Sequence, residues 1–157
     1  MKKILYLHGL ESKQGGLKVE YLATQGAVFA PDMDYKNPIY VFADRDKIQQ
    51  VLSNLIENSL KYGKKGGTTE VSIQDLVESK LLVRVTDNGE GVPSDQIPRL
   101  FERFYRVDKS GSREEGGSGL GLSIVKHIIE AHQEKIFVES DFGIGSEFSF
   151  TLEKSND

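Results

Sequence analysis

Cysteine is absent from the 157-residue sequence, which excludes disulfide bonds and thiolate metal sites and leaves the redox compartment open. Charge is nearly balanced, with a formal net charge of −4, so no basic surface for nucleic acid is indicated. No apolar run approaches the roughly 18 residues of a membrane-spanning helix, and polar residues interrupt the N-terminal apolar segment too early for a signal peptide. We therefore expect one soluble, cytoplasmic domain with a substantial core.

The strongest helical pattern covers residues 46–62. Apolar side chains recur there at helical spacing, which predicts that one face packs on a core: Ile48, Val51, Leu52, Leu55 and Ile56. A second row rises at steps of four, four and three and aligns amide and ammonium groups: Gln50, Asn54, Asn58 and Lys61. Taken alone, this row is more typical of a solvated helix face than of a binding surface.

Helices and short strands alternate along the rest of the chain. The apolar patterns predict strands at residues 3–7, 27–30, 39–43, 69–75, 80–87 and 135–140, and a closing strand with Phe148, Phe150 and Leu152 facing inward. They predict helices at residues 19–25, 94–105 and 120–133, with Asp44 as the N-cap of the helix at 46–62. The polar segment 107–118 is predicted to be a mobile loop. This order favours an α/β fold with helices on one face of a mostly antiparallel sheet.

The sequence Asp-Asn-Gly-Glu-Gly at residues 87–91 follows a strand directly. Alternation places Asp87 on the same side as Val83 and Val85, the apolar side. A carboxylate on an apolar face is costly unless it has a donor to bind, and the exocyclic amine of adenine would serve. The alternative is a hairpin, because Asn-Gly is a strong turn signal, although the next segment looks helical and not like a partner strand.

Gly117, Gly119 and Gly121 open the helix at 120–133. Backbone N–H groups at a helix N-terminus bind anions. The pattern is not a P-loop, since no Gly-Lys-Ser/Thr follows, and a polar loop precedes it where a Rossmann fingerprint has a strand. The alternative for these residues is a flexible Gly-Ser hinge.

Together these stretches resemble, in order and spacing, the ATP-binding domain of sensor histidine kinases. This domain belongs to the Bergerat superfamily, with gyrase, Hsp90 and MutL. Residues 54–62 match its N box, 87–91 its G1 box, 100–106 its F box and 117–122 its G2 box, and residues 145–148 match its closing hairpin. The resemblance covers about residues 39–154, leaving 155–157 as a tail. It implies a two-layer Bergerat-type sandwich with a mixed, mostly antiparallel sheet and helices on one face.

The resemblance implies ATP and Mg²⁺ as ligands. Asn58 would bind Mg²⁺ through its amide oxygen, with phosphates and waters completing the shell, and Asn54 would support the same ion and the phosphates. Lys61 and Arg106 would neutralise phosphate charge. These four residues, Asn54, Asn58, Lys61 and Arg106, are the predicted catalytic set, and Asn58 is the predicted metal ligand.

The resemblance also implies how the base is held. Tyr62 would stack near the adenine, Asp87 would accept a hydrogen bond from its amine, and Gly89 and Gly91 would let the chain approach the base closely. Residues 107–118 would form an ATP lid. The complete predicted nucleotide-binding set is Asn54, Asn58, Lys61, Tyr62, Asp87, Gly89, Gly91, Phe104, Arg106, Gly117, Gly119, Leu120, Gly121, Leu122 and Ser146.

One position separates the chemistries of the superfamily. Members that hydrolyse ATP carry a glutamate four residues before the magnesium asparagine, and this chain has Asn54 there. An amide cannot act as a general base. Glu57 lies about 100° around the helix from Asn58 and is expected to point elsewhere. The resemblance therefore favours phosphoryl transfer to a protein side chain over hydrolysis.

A phosphoacceptor histidine on a two-helix dimerisation domain is expected in such a kinase and is not recognisable here. His127 and His132 lie on or beside an apolar helix face, which predicts core roles, and His8 lacks the acceptor motif's surroundings. We expect an acceptor domain in trans as the partner and, indirectly, a response regulator, with no nucleic acid and no membrane segment. The alternatives are a stand-alone serine kinase of the anti-sigma-factor type and a non-catalytic ATP-binding module.

Residues 1–38 do not match this domain. They resemble the opening of a small α/β-hydrolase-type esterase, in which a strand runs into His8-Gly9, but no G-x-S-x-G motif follows. We therefore expect a chimera with its junction near Asn37 and Pro38. Its early strands could replace the domain's first strand, because main-chain hydrogen bonds carry edge pairing. Without dimerisation helices, a monomer is expected.

Overall fold

The structure is a computed structural model that describes residues 4–7, 28–29, 39–64, 66–77, 79–107 and 117–155. The predicted helix at 19–25, His8, and residues 108–116 of the predicted loop and lid lie outside these ranges. The strands are β1 (Ile4–Leu7), β2 (Val28–Phe29), β3 (Ile39–Phe42), β4 (Thr69–Asp75), β5 (Lys80–Asp87), β6 (Ile136–Asp141) and β7 (Gly145–Glu153). The helices are α1 (Arg45–Tyr62), α2 (Gly121–Ala131) and a short 3-10 helix, Ile97–Arg99.

Five strands form one sheet in the order β2-β4-β5-β7-β6. All its pairs are antiparallel except β2 with β4, which is parallel. A second pair joins β1 to β3 antiparallel, and β3 meets the end of β7 through a bridge between Val41 and Lys154. Because side chains alternate along a strand, β5 and β7 present one continuous apolar face, and the buried residues of α1 and α2 belong to the same core. The α/β fold class is confirmed.

Helix α1 has the predicted boundaries to within one residue. The Asp44 carboxylate accepts from the backbone N–H groups of Asp46 and Lys47, which satisfies donors that a helix N-terminus leaves unpaired. Ile48, Val51, Leu55 and Ile56 are fully buried or nearly so. Lys61 occupies the last turn, where a cation suits the helix dipole.

The two histidines of α2 and its C-cap have different environments. His127 is exposed, so its predicted core role is wrong: the buried face runs through Val125, Ile128 and Ile129, and position 127 falls outside it. His132 is half-buried. Its Nε2 accepts from the backbone N–H of Asp44 at 3.0 Å, and its Nδ1 lies 2.7 Å from the Ile128 carbonyl oxygen, so the ring joins the start of α1 to the end of α2.

The segment 94–105 is not a regular helix, and that prediction is wrong. It contains only the 3-10 helix Ile97–Arg99, with Pro98 in its first turn, followed by turns. Phe104 has a φ of 63°, a left-handed conformation that a right-handed helix cannot continue through. Nearby, Phe101 packs edge-on against Phe148 with ring centroids 6.4 Å apart. Within the described ranges, neither α1 nor α2 is long and apolar enough to cross a bilayer.

Candidate nucleotide-binding site

A cavity of about 250 Å³ lies between the last turn of α1, the segment after β5 and the start of α2. Of the predicted nucleotide-binding residues, its wall includes Asn58, Lys61, Tyr62, Asp87, Gly91, Arg106, Gly117, Gly119, Gly121, Leu122 and Ser146. Asn54, Gly89, Phe104 and Leu120 do not belong to the wall. Residues from five separate stretches of chain therefore converge on one space.

The last turn of α1 forms one side of the cavity through Asn58, Lys61 and Tyr62. Glu57 belongs to this wall as well, although its side chain is exposed. The cavity is wide enough to contact two adjacent rows of the helix, so a 100° step does not remove a residue from it. Asn54 lies one turn earlier, and its amide nitrogen contacts the Gly121 carbonyl oxygen at 3.5 Å, close to the start of α2.

Asp87 provides a hydrogen-bond acceptor in the cavity wall. It is half-buried, and burial raises the pKa of its carboxyl, while hydrogen bonds from the backbone N–H groups of Gly89 and Ser146 act in the opposite direction. The Gly89 bond is 2.8 Å long. Among the described residues, no lysine or arginine forms a salt bridge with this carboxylate. An acceptor that is partly desolvated and lacks a cation is suited to a neutral N–H donor.

The segment after Asp87 is not a hairpin. The Asn88 side chain accepts from the backbone N–H of Thr68 at 2.8 Å, and β5 pairs with β4 and β7. Gly89 is buried behind the cavity wall, against the end of α1. The hairpin alternative is therefore excluded: Asn88 holds the loop to Thr68, before β4, and Gly89 lies against Tyr62 at the end of α1.

Gly119 and Phe104 support each other at the edge of the cavity. The backbone N–H of Phe104 donates to the Gly119 carbonyl oxygen at 2.9 Å, and both residues have positive φ, 63° and 69°. A Cβ on Gly119 would lie 2.8 Å from the Phe104 Cα, so only glycine permits this contact. The Phe104 side chain is 71 % exposed, and Leu120 is the N-cap of α2.

Positive groups line the cavity as well. A Cβ on Gly117 would lie 2.7 Å from the Lys61 Nζ, and Arg106 lines the same cavity. Gly121 begins α2, whose N-terminus presents unpaired N–H groups. The described residues contain no group of three or more histidine, aspartate or glutamate side chains able to hold a metal ion by themselves. A metal here would depend on oxygens from a bound anion.

A cavity wall that combines an acceptor for a base with cations and a helix N-terminus fits a nucleoside triphosphate. The profile of the family described as histidine kinase-, DNA gyrase B- and HSP90-like ATPases matches residues 43–156. This chain belongs to that family. It is the ATP-binding catalytic domain of a sensor histidine kinase.

Its relatives point the same way. Sensor histidine kinase WalK of Bacillus subtilis is 46 % identical over 123 residues, which are 78 % of this chain and 20 % of the relative. The chain thus spans about a fifth of that kinase. The solved catalytic domain of histidine kinase ThkA is 28 % identical with a TM-score of 0.68, covering 86 % of this chain and 84 % of that one. The mycobacterial sensor kinase MprB shares the fold, with 24 % identity, a TM-score of 0.73 and coverage of 87 % and 91 %.

Several wall residues are not in the predicted nucleotide-binding set: Glu57, Ser59, Glu90, Val92, Leu100, Tyr105, Val107, Ser118 and Phe148. All but Val92 and Val107 lie inside the matched stretches, and these two directly follow one; their place in the wall became visible only when the boxes were brought together. Phe148 could have been found, because alternation along β7 predicts that it faces inward. Tyr105 donates its hydroxyl to Gln96 at 3.1 Å and carries the Arg99 guanidinium 4.3 Å from its ring centre, contacts that local pattern does not reveal.

Proposed function

We propose that this domain binds Mg-ATP and donates the γ-phosphoryl group to a histidine on a separate acceptor domain. The observation that carries the proposal is that Asp87, which has no salt bridge among the described residues, lines the same cavity as Asn58, Lys61 and Arg106. Asp87 accepts a hydrogen bond from the exocyclic amine of adenine, and Tyr62, which is 47 % exposed, covers the base from the side of α1.

The phosphate end fits Mg²⁺ only together with a nucleotide. Asn58 offers one amide oxygen, and no acidic cluster is present among the described residues, which matches the preference of Mg²⁺ for one or two protein oxygens plus phosphates and waters. Bound Mg²⁺ would supply neutralisation of the phosphate charge. Lys61 and Arg106 hold the phosphates, and the N-terminus of α2 adds N–H donors for the same charge.

Transfer to a side chain is favoured over hydrolysis by Asn54. Its amide lies against Gly121 and cannot take a proton from water. Hydrolysis is the second candidate, because the Glu57 residue belongs to the cavity wall and a carboxylate can act as a general base. Release of phosphate in the absence of an acceptor, lost in Glu57→Gln, would favour this second candidate.

The decisive test is transfer from γ-labelled ATP to a separately produced dimerisation domain that carries an acceptor histidine. We expect label on the acceptor, and a rate about 100-fold lower or more for Asn58→Ala, because a ligand of the metal is removed. Gln50→Ala is the control, since Gln50 is exposed on the same helix and outside the cavity wall.

Other outcomes discriminate among the alternatives. Transfer to a serine of a protein substrate would favour a kinase of the anti-sigma-factor type. Saturable ATP binding with no transfer to either acceptor would leave an ATP-binding module. Because ATP is the donor and the acceptor domain passes phosphate to a response regulator in this family, we place the domain in the cytoplasm.

We further propose that residues 1–38 are foreign to residues 39–154 and that their strands replace the domain's own first strand. Two strand pairs support the replacement: β1 pairs along the whole length of β3, and β2 covers the edge of β4. The foreign origin is supported by the family match, which begins only at residue 43.

Deletion of residues 1–36 should lower the melting temperature by about 5 °C or more, because two strand edges lose their partners. Nucleotide affinity should change little, since the described cavity wall begins at Glu57. A chain lacking only residues 1–3 retains both strands and is the control. An unchanged melting temperature would mean that the N-terminal segment is passive.

A further inference from the structure

Ser140 stands on β6, outside the cavity wall, and its hydroxyl oxygen has three polar neighbours. It accepts from the backbone N–H of Val92 at 2.8 Å. It lies 3.0 Å from the Gly145 carbonyl oxygen and 2.8 Å from the Ser146 Oγ. Two of these neighbours, Val92 and Ser146, line the cavity, so Ser140 touches the wall of the site from behind.

The protons in this cluster have one arrangement that satisfies all three contacts. The Gly145 carbonyl can only accept, so it takes the single hydroxyl proton of Ser140. The contact between the two hydroxyls then requires Ser146 to donate to Ser140. With its proton directed away from the cavity, the Ser146 oxygen presents only lone pairs to a ligand. Ser140 therefore makes Ser146 an acceptor.

This acceptor lies beside the one that is proposed to recognise the base. Asp87 and Ser146 are directly opposite each other on β5 and β7, and the Ser146 backbone N–H donates to the Asp87 carboxyl. Ser140 is in turn opposite Ser146 on β6. The three side chains thus form a row across three strands, with Ser146 9 % exposed.

The same hydroxyl fixes the loop that completes this end of the cavity. Val92 is held by Ser140, and the preceding Glu90 carbonyl oxygen accepts from the backbone N–H of Gly143 at 2.6 Å. The segment after β5 is therefore attached at one point to β6 and at another to the turn between β6 and β7. Loss of the Ser140 hydroxyl would free both the Val92 backbone and the Ser146 proton.

We infer that Ser140 is a positioning residue for base selectivity, which rests on the proposed binding of ATP. By keeping Ser146 an acceptor next to Asp87, it favours a purine with an amino group at position 6 over one with an oxo group. When Ser140 is removed, the Ser146 hydroxyl can rotate and donate to a 6-oxo group, so the discrimination falls. Buried polar groups left without partners are a strong source of such discrimination.

The test is calorimetric titration of the full chain with ATP and with ITP, each with Mg²⁺. The unchanged chain should prefer ATP by about tenfold or more, and Ser140→Ala should reduce that ratio about three- to tenfold. Ser140→Thr, unlike Ser140→Ala, keeps a hydroxyl at this position and should keep the ratio of the unchanged chain. Ser149→Ala, buried on β7 but outside the cavity wall, should leave the ratio unchanged. In the nucleotide-free chain, amide exchange at Val92 should be faster for Ser140→Ala.

A purely structural role would lower the melting temperature and both affinities together and leave the ratio unchanged, which would overturn the inference. The absence of any ATP preference in the unchanged chain would also overturn it while the proposed function stands. If the unchanged chain binds no ATP, the proposed function itself fails, and the inference with it. Should Ser140→Ala not fold, Ser140→Cys keeps the size with only a weak donor and should show the same reduction.

Discussion

Replacing Asp87 by asparagine should weaken ATP binding about 10- to 100-fold without loss of fold stability. The carboxylate accepts from backbone N–H groups on one side and is free to accept the adenine amine on the other. Hydrogen bonds to a charged acceptor contribute about 1.5–3 kcal/mol. An asparagine oxygen accepts more weakly, and its NH₂ group would oppose the amine in the other orientation. Titration calorimetry with a non-hydrolysable ATP analogue measures the change.

The effect of Asp87→Asn on fold stability at pH 7 should be opposite in sign to its effect on ATP affinity, or absent. Because burial raises the pKa of Asp87 in the folded chain, its carboxyl favours folding only when protonated. That contribution is complete below the ordinary value of 3.8 and is lost as the pH rises through the folded pKa. At pH 7, Asp87→Asn should therefore melt at the same temperature as the unchanged chain or higher, and the advantage should disappear below about pH 3.8.

Asp95→Asn is the matched control, since Asp95 is exposed and outside the cavity wall. It should change neither the affinity nor the pH dependence of melting. Equal ATP affinity for Asp87→Asn and the unchanged chain would contradict the role given to this carboxylate in base recognition. A marked fall in melting temperature at pH 7 would show that its hydrogen bonds outweigh its desolvation.

Gly91→Ala should destabilise the domain by roughly 2–5 kcal/mol. Gly91 has a φ of 68°, where a Cβ costs about 1–2 kcal/mol. That Cβ would also lie 2.0 Å from the Asp141 carbonyl oxygen and 3.1 Å from the Phe142 Cα. These are backbone atoms of β6 and the turn after it, which cannot move aside as a flexible side chain would, and overpacking adds about 1–3 kcal/mol. Urea unfolding provides the measurement.

Gly121→Ala is the comparison within the same cavity wall. Nothing lies within 4 Å of a Cβ at this position, which is the first residue of α2. Alanine there should be neutral or stabilising by up to about 1 kcal/mol. If both variants unfold at the same urea concentration, the close approach of Gly91 to Asp141 does not limit stability. The contact between the segment after β5 and the end of β6 is then looser than described.

Local pattern was sufficient wherever the physical cause is local. The apolar spacing from Ile48 to Ile56 follows from one turn of helix, and the alternation in β5 and β7 follows from the pleat. The capping of α1 by Asp44 needs only residues up to Lys47. The apolar pattern wrongly predicted a helix at residues 94–105, because the backbone of Phe104 is held by Gly119, a residue outside that segment.

The position of Glu57 illustrates the same limit at the site. Helical geometry gives its direction relative to Asn58, but the breadth of the cavity depends on how α2 and the loop after β5 are placed against α1. The exposure of His127 is a second example, since the apolar face of α2 is defined by which residues its neighbours bury.

The sequence by itself determined the family, the order of the strands and of helices α1 and α2, and most residues of the cavity wall, because these follow from spacing within short motifs. Only the tertiary structure decided that β2 runs parallel to β4, that Ser140 stands behind Ser146, and that Glu57 reaches the cavity. Each of these depends on hydrogen bonds or packing between segments that are distant in the chain. Such contacts leave no periodic trace in either segment, so they become visible only when the sheet and helices are assembled.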